Sequence, residues 1–332
     1  MKKSFYVGID VSKRTIDVAY YDKGPVYLGC FENCDEGFVK MLRELKNVTG
    51  KRVSQWFVCF ENTGVYSKPL FSYLSYHNIA CREENALHLS RSLGMKRAKD
   101  DQIDARDICR YAFEKRDSIQ ASKPLSNQIT RLRKLVNYRD LLIRKKTSLK
   151  LSLSEQKKTM DEQLYAQLME GNKAIVKHFN QEIKRVEQLM QATIDEQKET
   201  KRNDQLARSV MGVGPIISAF MIAYSNNYTC FKSARPFASY CAIAPFPHSS
   251  GTSIKKPKRT NHLGHKKLRS ALSNAASSAI KSDPEIRQYF NRKKQEGKHS
   301  GVIINAIKNK LIHRVFAVIK RQSPYVKLNN YA

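Results

Sequence analysis

FYVGID (Phe5–Asp10) and TIDVAYY (Thr15–Tyr21) read as two neighbouring strands, rich in β-branched and aromatic residues and joined by the tight Ser12-Lys13-Arg14 turn. Outward from this pair, Val26–Glu32 has the texture of a third strand. The period then changes: Phe38, Met41, Leu42 and Leu45 recur at helical spacing within Glu36–Lys46. Val53–Phe60 returns to a run of β-branched and aromatic residues suited to a central strand. A helix over about Lys68–Tyr76, a short strand at Ile79–Arg82 and a helix over about Asp101–Phe113 follow. The order is β-β-β-α-β-α-β-α, opened by an antiparallel meander.

Carboxylates fall at telling places in that order. Asp10 ends the first strand within GIDVSK, and Glu61 ends the strand WFVCFE, expected beside the first. Asp101 and Asp104 lie three apart in KDDQIDARD and so share one helical face. Each of the four alone is commonplace: a strand-terminal Asp, a loop-entry Glu, a solvated helical pair. Brought together they repel one another unless cations hold them, and hard oxygen donors suit Mg²⁺ or Mn²⁺. Asp107 extends the same face as a further ligand or a surface charge, whereas Asp100 faces elsewhere. Topology and acids together predict an α/β ribonuclease H-like (RuvC-like) domain over residues 1–118, with Asp10, Glu61, Asp101 and Asp104 as catalytic metal ligands.

Residues 119–203 have another character. Leu125, Ile129, Leu132 and Val136, then Val176, Phe179, Ile183, Val186 and Met190, recur at helical spacing, the second set in strict three-four alternation. Two long helices are expected, forming a coiled-coil connector that turns near Gly171 or slightly earlier and is able to pair with a second chain.

The chain's 332 residues carry 60 Lys+Arg against 30 Asp+Glu, a net charge of +30. Residues 1–110 contribute +4, residues 111–200 +6, and residues 201–332, with 24 basic and 4 acidic side chains, +20. So lopsided a C-terminal third calls for a polyanionic partner, and nucleic acid fits through counterion release. No apolar run approaches a membrane span, and no signal-peptide pattern follows the N-terminal lysines. The seven cysteines form no C-x-x-C pair, as expected of a reducing cytoplasm.

Residues 204–332 read as a basic, mainly α-helical domain. MGVGP (Met211–Pro215) before an apolar run resembles a glycine hairpin in which Gly212 and Gly214 let backbone N–H groups approach a phosphate. A loop is expected from Ala244 to His265, then helices at Lys266–Lys281 and Gly301–Arg321. Within the loop, PFPHSSGT (Pro245–Thr252) sits beside Lys255, Lys256, Lys258 and Arg259, with Lys266, Lys267 and Arg269 just beyond. From composition alone, a nucleophilic serine in a cationic cradle and a basic loop that merely grips phosphate are equally good readings.

GIDVSK, FENTGVY, KDDQIDA, MGVGPIISA and the A-x-x-P-x-x-x-S-S-G-T stretch, in this order over residues 4–320, resemble the DEDD transposases of the one-ten family of insertion sequences, which include pilin-gene invertases. The resemblance implies a RuvC-like domain, a coiled-coil connector and a serine domain. It also implies Mg-dependent recombination of donor and target DNA through a phosphoserine intermediate, a structured bridge RNA as guide, and dimers or tetramers acting in the bacterial cytoplasm at the nucleoid. By motif position the nucleophile falls on Ser250, with Ser249 as the fallback; His265 departs from the Asn that many relatives carry. Two other classes compete. One is a RuvC-like junction endonuclease using water, and the other a non-enzymatic architectural protein, which leaves the acidic quartet unexplained.

Overall fold

The computed structural model describes residues 4–94, 100–157, 159–250, 254–260 and 263–326, with the backbone alone at 246–250 and 254–259. The chain divides into two compact units, residues 1–124 and 125–332.

The first unit holds a five-stranded sheet in the order β3-β2-β1-β4-β5. Strands β1 (Phe5–Val11), β2 (Thr15–Tyr21) and β3 (Pro25–Glu32) form the antiparallel meander, and β4 (Trp56–Glu61) and β5 (Ala80–Glu84) add in parallel on the other side of β1. Side chains alternate across the sheet. Phe5, Val7, Ile9, Val11, Val58 and Phe60 point to one face, where they bury Phe38, Met41 and Leu45 of α1 (Asp35–Thr49) and Leu70 and Leu74 of α2 (Lys68–Tyr76). Tyr6, Phe57 and Cys59 point to the other face and pack against Ile108, Tyr111 and Ala112 of α4 (Asp101–Glu114). The expected elements are present within a few residues, and α3 (Ala86–Leu93) is an addition. It buries only Leu89, too little apolar periodicity to announce a helix.

Helix α4 can seat so closely because β1 carries Gly8 beneath it. A Cβ at Gly8 would lie 2.1 Å from the Cys109 backbone nitrogen and 2.5 Å from the Ala105 carbonyl oxygen. Both obstacles are backbone, so they cannot rotate aside. Gly8→Ala is therefore expected to cost about 3 kcal/mol and to displace the helix that carries Asp101 and Asp104. Calorimetric melting checks this, and an unchanged melt would mean that α4 does not rest on β1.

In the second unit, α5 (Asn127–Gln156) and α6 (Glu162–Asp195) run side by side. Ile129, Leu132, Val136 and Leu142 of α5 and Ile183, Val186, Met190 and Ile194 of α6 are buried, with Phe179 packed at the edge of the same core. Helix α5 ends at Gln156 and α6 starts at Glu162, so the turn is not near Gly171, which is inside α6 with open space around its Cα. Asp161 sets the boundary by accepting a hydrogen bond from the Leu164 N–H at 2.8 Å. An exposed glycine inside a helix costs only about 1 kcal/mol, so it does not force a turn.

The core of these two helices is continuous with α7 (Lys198–Arg208), α8 (Pro215–Ser225), α9 (Ala234–Tyr240), α10 (Lys266–Ser282), α11 (Pro284–Gln295) and α12 (Ser300–Arg321). Helix α8 is apolar nearly all round and is buried from Ile217 to Ser225. Where a loop was expected, β6 (Pro245–Ser250) and β7 (Ile254–Thr260) pair as an antiparallel hairpin, Ser250 opposite Ile254. The prolines that suggested a loop are tolerated because a two-stranded ribbon consists of edges, where a missing N–H removes no essential bond.

Candidate acidic active site and basic serine domain

In the first unit the strand register lines up the acids. Asp10 pairs with Asp17 across β1 and β2, and Asp17 with Cys30 across β2 and β3. On the other side, β4 runs parallel to β1 with Ile9 opposite Phe60, so Glu61 ends its strand one residue on, at the level of Asp10, and Glu61 pairs with Glu84 of β5. Helix α4 begins over this end of the sheet. Asp100 is its N-cap, its carboxylate accepting from the Gln102 N–H at 3.2 Å, while Asp101 and Asp104 stand in the first turn.

The four acids expected to act together stand close enough to feel one another. The Asp10 carboxyl is pushed up to about 6, first by burial and then by the charges of Asp104, Asp101 and Glu61. Among the described residues no three His, Cys, Asp or Glu side chains converge on one metal position as they stand. The donor chemistry nevertheless fits a hard divalent cation: four carboxylates, no thiolate or imidazole among them, and a net repulsion that a cation would relieve. Asp107, open as a ligand in the sequence, is buried and takes Arg110 at 3.2 Å.

Two acids beside the quartet escaped the sequence reading. Asp17 is buried and accepts a short 2.6 Å hydrogen bond from the hydroxyl of Tyr27, whose ring lies under the Arg106 guanidinium. Its sole sequence signal is a polar residue inside a strand, which solvent-facing positions show equally well. Glu84 is also buried; burial opposes its charge, but hydrogen bonds from Arg82 and the Asn85 N–H prevail and hold its pKa below the usual range. Tyr111 adds a third donor at 3.1 Å. Glu84 is thus satisfied by its own chain, and its charge is favoured where that of Asp10 is disfavoured.

In the second unit, Ser249 and Ser250 lie at the end of β6, opposite Lys255 and Ile254 of β7. The side chains of Ser249, Ser250, Lys255, Lys256, Lys258 and Arg259, and all of Gly251, lie outside the described residues. Gly212 (φ 89°) is required by packing, since a Cβ would lie 2.6 Å from that of Ala279 on α10. Gly214 has open space instead and caps α8 just ahead of Pro215. Lys266 is exposed, whereas Lys267 reaches the Asn137 side-chain oxygen at 2.6 Å and Asp140 at 3.5 Å, so its charge is partly spent within the fold. His265 caps α10, its Nδ1 accepting from the Leu268 N–H at 3.1 Å. Burial, and then Lys267, lower its pKa to about 4, which keeps that nitrogen free to accept at neutral pH. An asparagine there would serve the same capping purpose.

Comparison with known proteins follows this division. Residues 7–162 match a transposase model of the DEDD, IS110 type, and residues 204–291 match the model described as the transposase IS116/IS110/IS902 family. The chain is 26% identical to the pilin gene-inverting protein of Moraxella lacunata over 326 residues, 97% of this chain and 98% of that one. The Moraxella bovis protein of the same name matches to the same extent, 26% over 326 residues. An uncharacterized 42 kDa protein of insertion element IS900 from Mycobacterium paratuberculosis is 29% identical over 135 residues, 40% of this chain and 34% of its own length. With one transposase model matched on its acidic domain, a second on its basic domain, and relatives aligned end to end, the chain belongs to the IS110 family of transposases.

Proposed function

We propose that this transposase cuts and rejoins DNA with two sets of residues: the carboxylates Asp10, Glu61, Asp101 and Asp104 of a RuvC-like domain spanning residues 1–118, and Ser250 of the domain spanning residues 204–332, joined by a coiled-coil connector. The observation that carries the reading is the strand register that sets Glu61 at the level of Asp10, with Asp101 and Asp104 in the first turn of α4; burial and the charges of Asp104, Asp101 and Glu61 push the Asp10 carboxyl up to about 6. A fold that tolerates such repulsion has a use for it. Mg²⁺ or Mn²⁺ held by these carboxylates would supply Lewis-acid polarisation of the scissile phosphate.

The other steps belong to the chain itself. The Ser250 hydroxyl oxygen attacks phosphorus and gives up its proton. The phosphorus–oxygen bond to one sugar breaks, and the freed sugar oxygen takes a proton. A phosphoserine ester then conserves the bond until a new strand's hydroxyl reverses the exchange. Lys255, Lys256, Lys258 and Arg259 are suited to stabilise charge on the phosphoryl oxygens, and Gly214 to bring the α8 N-terminus against a neighbouring phosphate. A structured bridge RNA fits the +20 C-terminal third as the guide, and a dimer or tetramer fits the need to exchange strands between two DNA sites.

Titration calorimetry with MgCl₂ or MnCl₂ tests the acidic site. Wild-type protein is expected to bind the cation and to lose DNA cleavage in EDTA, while Glu61→Gln weakens binding about tenfold or more. Cleavage that persists undiminished in EDTA would overturn the metal assignment.

A further inference from the structure

Between Asp204 and Asp283 the sequence contains no Asp or Glu, and none follows Glu296. The β6–β7 hairpin, α10 and α12 therefore have no carboxylate of their own. Into this region the fold buries a lysine. Lys308 of α12 is only 7% exposed, and among the described residues it makes neither an ion pair nor a hydrogen bond. Its charged neighbour is another cation, Arg269 of α10, and burial together with that charge lowers the Lys308 pKa. The stem of Lys308 is packed away, and its ammonium is not among the buried polar atoms that lack a partner, so the tip is left open to an outside anion.

The surroundings of Lys308 are built rather than incidental. Arg269 reaches the Thr260 hydroxyl, at the foot of β7, at 3.5 Å. Asn305, one helical turn before Lys308, donates its Nδ2 to the Ile243 carbonyl at 2.8 Å, just before β6 begins. The Asn305 Oδ1 is buried and has no partner. Both feet of the hairpin are thus tied down by residues beside Lys308. Two cations converge there, and no acid of that region can neutralise them. An anion from outside the chain can.

We propose that Lys308 and Arg269 form a binding site for a backbone phosphate of the nucleic acid, at the foot of the hairpin that carries Ser250. The site is distinct from the serine and from the lysines of the hairpin itself. It holds the strand in place and takes no part in bond breaking, so Lys308 is a positioning residue. The inference rests on the recombinase reading only in taking nucleic acid as the partner.

The test uses the full chain in metal-free buffer, where no strand is cut, with a labelled DNA duplex and a labelled single-stranded RNA of equal length. Anisotropy is followed across a salt series. Lys308→Met is expected to weaken binding about tenfold and to reduce the slope of log K against log salt by about one. Its melting temperature should stay level or rise, because methionine keeps the buried stem and removes a charge set beside Arg269. Lys308→Arg should restore both affinity and slope, and Lys308→Met should cost less in an Arg269→Met background than alone. A loss confined to the DNA arm or to the RNA arm identifies whose phosphate is held. Wild-type affinity and slope for both probes in Lys308→Met would overturn the proposal. So would a loss that comes with a lower melting temperature and is not rescued by arginine, which marks a merely structural lysine. Covalent chemistry is absent from this assay, so failure here and failure of the serine mechanism are separately visible.

Discussion

Asp10→Asn is expected to abolish recombination, by at least about a hundredfold, and at the same time to make the metal-free protein more stable at pH 8. The two effects have one cause. The Asp10 carboxyl titrates at about 6 in the folded chain against an ordinary 3.8, because burial and Asp104, Asp101 and Glu61 disfavour its charge. A folded pKa above the unfolded one means that the folded state holds its proton more tightly. The associated stability is complete below about pH 4 and is lost as pH rises through 6. That difference corresponds to about 3 kcal/mol at full burial, and to about 1–2 kcal/mol for a half-buried carboxyl partly screened by solvent. Asn removes the charge, so the gain should be full at pH 8 and vanish near pH 4. Chemical denaturation at the two pH values reads this directly. Mg²⁺ should stabilise the wild type more than the variant. An Asp10→Asn protein that recombines normally, or that is less stable at pH 8, would contradict the assignment.

How much of this is legible in the sequence depends on the kind of signal each element carries. The meander and β4 could be read because β-branched and aromatic residues fill them without interruption, and α4 was expected over about Asp101–Phe113, where Asp101 and Asp104 stand three apart on one face. The quartet followed from those elements, since strand ends and one helical turn fix where Asp10, Glu61, Asp101 and Asp104 must lie. Short helices escaped: α11 buries only Ile286, too little to set a period. The β6–β7 hairpin escaped because Pro, Ser, Gly and Lys read as loop, although an isolated ribbon needs none of the apolar alternation that betrays a packed strand. Gly171 misled in the opposite direction, since an exposed helical glycine has the composition of a turn. Asp17 and Lys308 were invisible for a common reason. Their significance lies in burial, and a buried Asp or Lys is spelled in the same way as an exposed one.

The central claim, that the chain exchanges DNA strands through a serine ester, is tested most directly by trapping that ester. Ser250 ends β6 opposite Ile254 of β7, and Gly251 follows it in sequence. The expected effect is all or none, because a serine hydroxyl cannot be replaced as nucleophile by the hydrogen that alanine leaves. Wild-type protein, guide RNA, Mg²⁺ and a nicked suicide DNA substrate are incubated, denatured and separated by size. The account predicts DNA covalently attached to protein, retained in Ser249→Ala, lost in Ser250→Ala and lost in Asp10→Asn, with nucleic-acid affinity little changed in all three. Metal-dependent cleavage with no adduct in the wild type would contradict it and leave a junction nuclease that uses water.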